Sequence, residues 1–267
     1  ENIGSFLRET GYKTLNFGKG GNGPLIQLAT LKEYAEPLQP KVVLWFYYEN
    51  DLYDLIKDTG GEIYSPLLQY LNEDDYSQNL IARQEEIDYV LINFIQEKWE
   101  NKKKKKKKEV KKIRIAEGWA MRILKLFNLR LKTNLYPYKE YSVPLEFKKI
   151  LEKSNKMVSS WNGKLYFIYL PSYYKYSYTT FNPLKKFATR YYTLDLEHYE
   201  DVLRAASELD IPIIDMHKEV FEPHSDPLSL FPFRKWGHYT ANGYYLVAET
   251  ISKRLKDDGF IPLELNN

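Results

Sequence analysis

The run Lys41-Val42-Val43-Leu44-Trp45-Phe46-Tyr47, followed directly by Tyr48-Glu49-Asn50-Asp51, decides the fold class. A continuous apolar run of this length is typical of a strand that is buried on both faces. A second run of the same kind, Leu165 to Leu170, follows the turn signal Asn162-Gly163. Such strands belong to parallel sheets covered by helices, so the two runs predict an α/β domain.

The rest of the chain alternates between strand and helix patterns. Two further strands are predicted at Tyr12–Asn16 and Ile211–Asp215. Hydrophobic spacing predicts helices at Ser5–Glu9, Pro24–Tyr34, 75–133, Leu145–Trp161, Tyr199–Leu209 and from Asn242 to beyond Leu255. Four strands alternating with helices predict a mostly parallel sheet, interrupted by a helical insertion at residues 75–143.

The composition narrows the classes of function. The chain has 267 residues and no cysteine, which excludes thiol catalysis and cysteine-ligated metal sites. No stretch approaches 18 consecutive apolar residues, so no membrane span is predicted. The start at Glu1 is not a signal peptide, and a preceding leader or anchor stays open. We expect a soluble chain as given, and the compartment stays open between cytoplasmic, periplasmic and membrane-peripheral.

The formal net charge of +3 hides an uneven distribution. Residues 101–132 contain eleven Lys and three Arg against Glu109 and Glu117, a net charge of +12. The remaining residues therefore carry −9, and an acidic body bears a strongly basic insertion.

Residues that can do chemistry lie at the ends of three of the predicted elements. In open α/β sheets, functional residues collect at the carboxyl ends of the strands. A glycine-rich turn, Gly18-Lys19-Gly20-Gly21-Asn22-Gly23, can offer backbone N–H groups to a developing negative charge. Asn50 after the Val42–Tyr47 run can add a side-chain amide donor, and His238 precedes the last helix. The turn fits neither a phosphate loop nor a dinucleotide fingerprint.

In this order along the chain, the three segments resemble the SGNH (GDSL-like) hydrolase superfamily, serine esterases and acyltransferases on a flavodoxin-like fold. Asn16 to Gly23 looks like the second family block, Glu49-Asn50-Asp51 like the third, and Phe231 to Gly243 like the fifth. The resemblance implies a three-layer α/β/α architecture, no metal and no organic cofactor. It further implies that Gly21 N–H and the Asn50 amide stabilise an oxyanion and that His238 is the general base.

Two departures from the family pattern matter. The fifth block has Asp three residues before His, where this chain has Lys235, so another carboxylate would have to orient His238. We favour Asp215 at a predicted strand end, with Asp226 as the alternative; either can instead be a capping residue.

The first family block, a strand followed by Gly-Asp-Ser, is absent, and Ser5 belongs to the opening helix. Its strand would lie between Tyr12–Asn16 and the Val42–Tyr47 run. Because a missing central strand leaves backbone groups unpaired, we expect the chain to begin just after the nucleophile. Direct pairing of those two strands would contradict this expectation.

The resemblance implies an ester hydrolase or acyl (acetyl) transferase in which a serine upstream of residue 1 is the nucleophile, so this chain alone is expected to be inactive. The 24 tyrosines offer faces for stacking on sugars, which makes a carbohydrate ester attractive as substrate; tyrosine also fills half-buried positions generally. The alternative is a non-catalytic binding protein that kept the fold.

The basic insertion has two interpretations. Residues 101–132 suit an anionic membrane surface or another polyanion. We favour the other interpretation, a helical hairpin packed over the edge of the site, with the lysines as a solvated tip. A nucleic-acid partner is disfavoured, because the lysine run lacks interleaved aromatic residues.

Overall fold

The structure is a computed structural model that describes residues 2–59, 66–109, 143–177, 198–235 and 237–263, without the side chains of Lys57 and residues 103–109. The chain divides into two compact units, and each is described by itself. The first comprises residues 1–76 and 141–267, and the second comprises residues 77–140.

The first unit is built on a parallel sheet of three strands in the order β1-β2-β3. The strands are β1 (Val42–Tyr48), β2 (Lys164–Leu170) and β3 (Ile213–Asp215). All seven residues of β1 pair with β2, from Val42 opposite Lys164 to Tyr48 opposite Leu170. This sheet confirms the α/β class and three of the four predicted strands.

Five α-helices of this unit match predicted helices with shifted ends, and those at Asp51–Thr59, Leu67–Asn72 and Tyr173–Ser177 have no predicted counterpart. In all, eight α-helices are described in this unit. They are α1 (Ile3–Glu9), α2 (Pro24–Thr30), α3 (Asp51–Thr59), α4 (Leu67–Asn72), α6 (Leu145–Ser160), α7 (Tyr173–Ser177), α8 (Tyr199–Ser207) and α9 (Ala241–Asp257). Capping hydrogen bonds explain where two of these helices begin. Asn2 and Ser5 form a reciprocal capping box at α1, and Thr240 Oγ1 accepts from Gly243 N–H at α9.

The sheet separates two hydrophobic cores, because successive side chains of a strand point to opposite faces. On one face, Tyr47, Phe167 and Tyr169 pack with residues of α2, α6 and α8. On the other, Tyr166 and Ile168 pack with residues of α1 and α9. Helices thus cover both faces, and β2 is buried along almost its whole length.

The predicted strand Tyr12–Asn16 is wrong. This segment has no regular secondary structure, and its described backbone groups bond locally rather than to a strand. Tyr12 N–H donates to Leu7 O (3.1 Å), and Thr14 O accepts from Arg8. A strand of a sheet needs a neighbouring strand to which its backbone groups bond. Alternation in the sequence alone does not show that such a neighbour exists.

The backbone of β1 is paired with a strand on one side only. Lys164 N–H donates to Lys41 O (2.9 Å). Because the backbone N–H and C=O groups of alternate residues point to opposite sides of a strand, those of Val42, Leu44 and Phe46 point away from β2. In the described ranges no strand pairs with that side, and β1 is an edge strand bordered by two helix-covered faces.

The described part of the second unit is dominated by α5 (Gln84–Glu109), which contains the lysine run. The predicted helix 75–133 is thereby confirmed over 84–109, residues 75–83 are not helical, and 110–133 lie outside the described residues. No described helix is both long enough and apolar enough to cross a membrane.

A tight contact between the end of α6 and the start of β2 provides a test of the fold. A Cβ on Gly163 would lie 2.5 Å from Trp161 Nε1 and 2.8 Å from Pro40 O. Trp161 donates from Nε1 to that same Pro40 oxygen (3.0 Å), so it cannot move away without breaking the bond. We expect Gly163→Ala to lower the free energy of unfolding by about 1–3 kcal/mol in urea denaturation.

The matched control is Gly20→Ala, where a Cβ meets no atom within 4 Å. We expect this variant to stay within about 0.5 kcal/mol of the parent. Equal stability of the two variants would contradict the packing described at Gly163.

Candidate functional site

The turn after β1 is organised by the carboxylate of Asp51, which is 5% exposed. Its Oδ2 accepts from Tyr48 N–H (3.2 Å) and from Gln27 Nε2 (3.1 Å). Asn50 O accepts from Asp54 N–H (3.1 Å), which begins α3. Asn50 itself is exposed and lies on the bend between β1 and α3.

Gln27 in α2 ties the glycine-rich turn to the same bend. Its Nε2 also lies 3.2 Å from Asn22 O and 3.2 Å from Phe46 O. Gly23 completes the contact, because a Cβ there would lie 2.9 Å from Cβ of Asp54. The turn thus lies directly against the start of α3.

Both predicted oxyanion donors lie at this place. Gly21 is exposed with φ +83°, a conformation that favours glycine, and a Cβ there would meet no atom within 4 Å. Within the described residues no acceptor bonds to its N–H. Asn50 Nδ2 donates to Asp54 Oδ2 (3.1 Å), which leaves its second N–H available.

His238 reaches the end of β1 through Tyr48. The two ring centroids are 5.1 Å apart at an interplanar angle of 50°. The Tyr48 hydroxyl is 3.5 Å from Gly237 O, to which it donates, and Gly237 has φ +130°. Burial raises the pKa of Tyr48 above its ordinary value, so its hydroxyl stays a donor. The His238 side chain itself is exposed.

The two carboxylates considered for orienting His238 are engaged elsewhere. Asp215 accepts from the Tyr199 hydroxyl and from His217 N–H (3.0 Å). Asp226 forms a bidentate pair with Arg234, which lowers the Asp226 pKa. No carboxylate of the described residues bonds to His238.

The structure therefore brings Gly21, Asn50 and His238 to the carboxyl end of β1, and it does not bring Asp215 to His238. The first three converge because the strand end contacts both the glycine-rich turn and the loop before α9. Asp215 ends β3, which is separated from β1 by the whole of β2.

A buried carboxyl group, Glu49, lies beside Asn50 and was not among the predicted site residues. It is 2% exposed and accepts from the Tyr169 hydroxyl and from Ser172 N–H (2.9 Å). Lys175 Nζ lies 3.9 Å from Glu49 Oε1. These bonds fasten the residue before Asn50 to the end of β2.

Lys175 connects Glu49 to the end of β3. Its Nζ lies 3.9 Å from the centroid of the Tyr199 ring, and the Tyr199 hydroxyl donates to Asp215. Burial lowers the pKa of Lys175, and the charges of Glu49 and Asp215 oppose that shift. The carboxyl ends of all three strands are thus joined by one polar cluster.

One sequence signal pointed to Glu49. It continues the alternation of Trp45 and Tyr47, which face the same core, so it lies at an inward position. No comparable signal marked Lys175 or Tyr199, because they reach the cluster from segments distant in sequence.

The chain matches no family model, and no curated protein or solved structure matches it significantly. Across the described ranges, no group of three or more His, Asp or Glu residues is arranged to hold a metal ion.

Glu49 generates a prediction about pH. Burial raises the pKa of Glu49 above its ordinary value of 4.5, while its hydrogen bonds to Ser172 and Tyr169 oppose the shift. As the pH rises above 4.5, the unfolded chain loses this proton before the folded chain does, so this group's contribution to the free energy of unfolding falls. Glu49→Gln should therefore flatten the decline in stability between pH 4.5 and neutrality, measured by urea denaturation at several pH values.

Glu249→Gln is the matched control, since Glu249 is exposed on α9. This variant should keep the pH dependence of the parent protein. An unchanged slope in Glu49→Gln would show that Glu49 does not titrate differently in the folded and unfolded states.

Proposed function

We propose that this chain carries the oxyanion hole and general base of a serine ester hydrolase or acyltransferase of the SGNH type, on a three-layer, flavodoxin-like α/β/α fold. The observation that carries the proposal is the convergence of Gly21, Asn50 and His238 at the carboxyl end of β1. These residues come from three segments far apart in sequence, and a purely structural turn requires no such meeting.

The chemistry follows from the donors. When a nucleophile attacks an ester carbonyl, the oxygen gains negative charge in the transition state. The Gly21 N–H and an Asn50 N–H stabilise that charge without reorganising, because one is fixed by the turn and the other by Asp54. His238 takes the proton of the attacking hydroxyl and later returns it to the leaving alcohol.

The nucleophilic serine is proposed to lie upstream of residue 1, at the end of a strand that pairs with the side of β1 where no described residue forms a strand. The support is the edge itself. Backbone groups of Val42 and Leu44 face away from β2 between two helix-covered faces, where an apolar strand would complete the ladder. A parallel strand there would end beside Asn50.

The substrate is proposed to be a small-molecule or carbohydrate ester. Phe233, five residues before His238, exposes 92% of its surface with φ +55°. An exposed aromatic face on the loop of the proposed base suits a sugar ring or an apolar group of a substrate.

One observation favours a second candidate, a non-catalytic binding protein with the same fold. His238 has no carboxylate partner in the described part of the chain, and Lys235 stands at the family's Asp position. An imidazole without an orienting carboxylate is a weaker base in a triad.

The test uses the polypeptide with its upstream residues and a short-chain aryl ester. We expect His238→Ala to lower kcat by about 10²- to 10⁴-fold and Asn50→Ala by about 10²- to 10³-fold, with circular dichroism unchanged. His224→Ala, which removes another histidine of the same region, should leave kcat unchanged. Hydrolysis that survives His238→Ala would overturn the assignment of the base.

The residues encoded before Glu1 distinguish the two candidates independently. A strand ending in Gly-Asp-Ser supports the enzyme. Its absence, together with no hydrolysis by the parent protein, supports the binding protein.

A further inference from the structure

The second unit presents an apolar helix face to solvent. Val90, Leu91, Phe94, Ile95 and Trp99 of α5 are each between 45% and 64% exposed. Their spacing of three and four residues places them on one side of the helix, along about 14 Å of its axis. We name these five residues the α5 stripe. A monomeric soluble protein rarely leaves such a contiguous apolar surface uncovered.

Polar residues predominate on the opposite side of α5, which also carries Tyr89 and Ile92. Glu86, Asn93, Gln96 and Glu100 occupy it, and Arg83, just before the helix, pairs with Glu86 (2.8 Å). Between residues 84 and 100 the apolar side chains are concentrated on the side of the stripe, which also includes Asp88.

A lysine run continues the helix directly after the stripe. Lys102 to Lys108 are seven consecutive positive charges within α5, and Trp99 stands one turn before them. The lysine run is therefore continuous along the helix axis with the face formed by the α5 stripe. Lys98 already approaches that face, with its Nζ 5.1 Å from the Phe94 ring centroid.

We propose that α5 lies on an anionic lipid bilayer, with the α5 stripe at the boundary between headgroups and acyl chains and the lysine run on lipid phosphates. The apolar stripe fits the boundary between headgroups and acyl chains, and the adjoining lysine run fits the phosphates of the headgroups. Trp and Lys are the residues favoured at such interfaces. The helix lies on the membrane rather than crossing it.

The combination selects the bilayer over other polyanions. A nucleic acid or acidic polymer would use the lysine run and leave the α5 stripe in water. A surface that buries apolar side chains and carries phosphate accounts for both features with one partner. This proposal goes beyond the ester chemistry and holds whether or not the first unit is an enzyme.

The experiment is flotation of the whole protein with vesicles of phosphatidylcholine, with and without phosphatidylglycerol. We expect binding to the anionic vesicles only, weakened by high salt because surface charges are screened. The stripe variant Leu91→Gln with Phe94→Gln should lose at least about tenfold in partitioning. Replacing Lys105 to Lys108 by Gln should lose a similar factor.

The matched control replaces an aromatic and a polar residue on the other side of α5, Tyr89→Gln with Asn93→Gln. Tyr89 is 70% exposed, so this variant removes as much exposed aromatic surface without touching the stripe. It should float like the parent protein.

A measurement on the parent protein guards against variants that unfold. Brominated acyl chains should quench tryptophan fluorescence on anionic vesicles, and Trp99→Phe should remove most of that quenching.

Three results would overturn the proposal. The first is equal flotation with and without phosphatidylglycerol. The second is binding that depends on the lysines but not on the α5 stripe, which indicates a polyanion alone. The third is a dimer abolished by the stripe variant with no flotation, which assigns the stripe to a second copy of the chain.

Discussion

Two buried carboxyl groups, Glu49 and Asp51, hold the end of β1 from opposite sides, and the arrangement of the first unit depends on them. Glu49 binds the end of β2 through Tyr169 and Ser172. Asp51 binds the backbone of Tyr48 and, through Gln27, the glycine-rich turn. Burial raises the pKa of both carboxyls, and their hydrogen bonds oppose that shift, as does the charge of Lys175 in the case of Glu49. Asn50, the exposed residue between them, is fixed without being buried itself.

This fixation supports the role proposed for Asn50. A donor can stabilise developing charge only if it is already oriented, because reorganisation during the reaction would consume the benefit. The anchors on both sides of Asn50 supply that orientation, and Tyr48 brings the loop of His238 to the same strand end. The polar cluster around Lys175 then links this end to β3, so the three strand ends are joined by one network of contacts.

The two units divide the physical roles within the chain. The first hides its apolar residues in two cores on either side of the sheet. The second exposes an apolar stripe and places a dense positive charge next to it. The small net charge of the chain therefore describes neither unit, because a basic segment and an acidic body cancel in the sum.

The sequence by itself determined the α/β class, the strands β1, β2 and β3, and the positions of most helices, because apolar runs and helical spacing report burial directly. It also predicted a site at Gly21, Asn50 and His238, which lie at the carboxyl end of β1, and their catalytic role stays a prediction. Tertiary structure alone decided that Tyr12–Asn16 is not a strand and that Asp215 bonds to Tyr199 rather than to His238. It alone revealed the cluster of Glu49, Lys175 and Tyr199. Strand pairing and carboxylate partners depend on which distant segments meet, and that meeting is fixed by packing of the whole unit rather than by any local pattern.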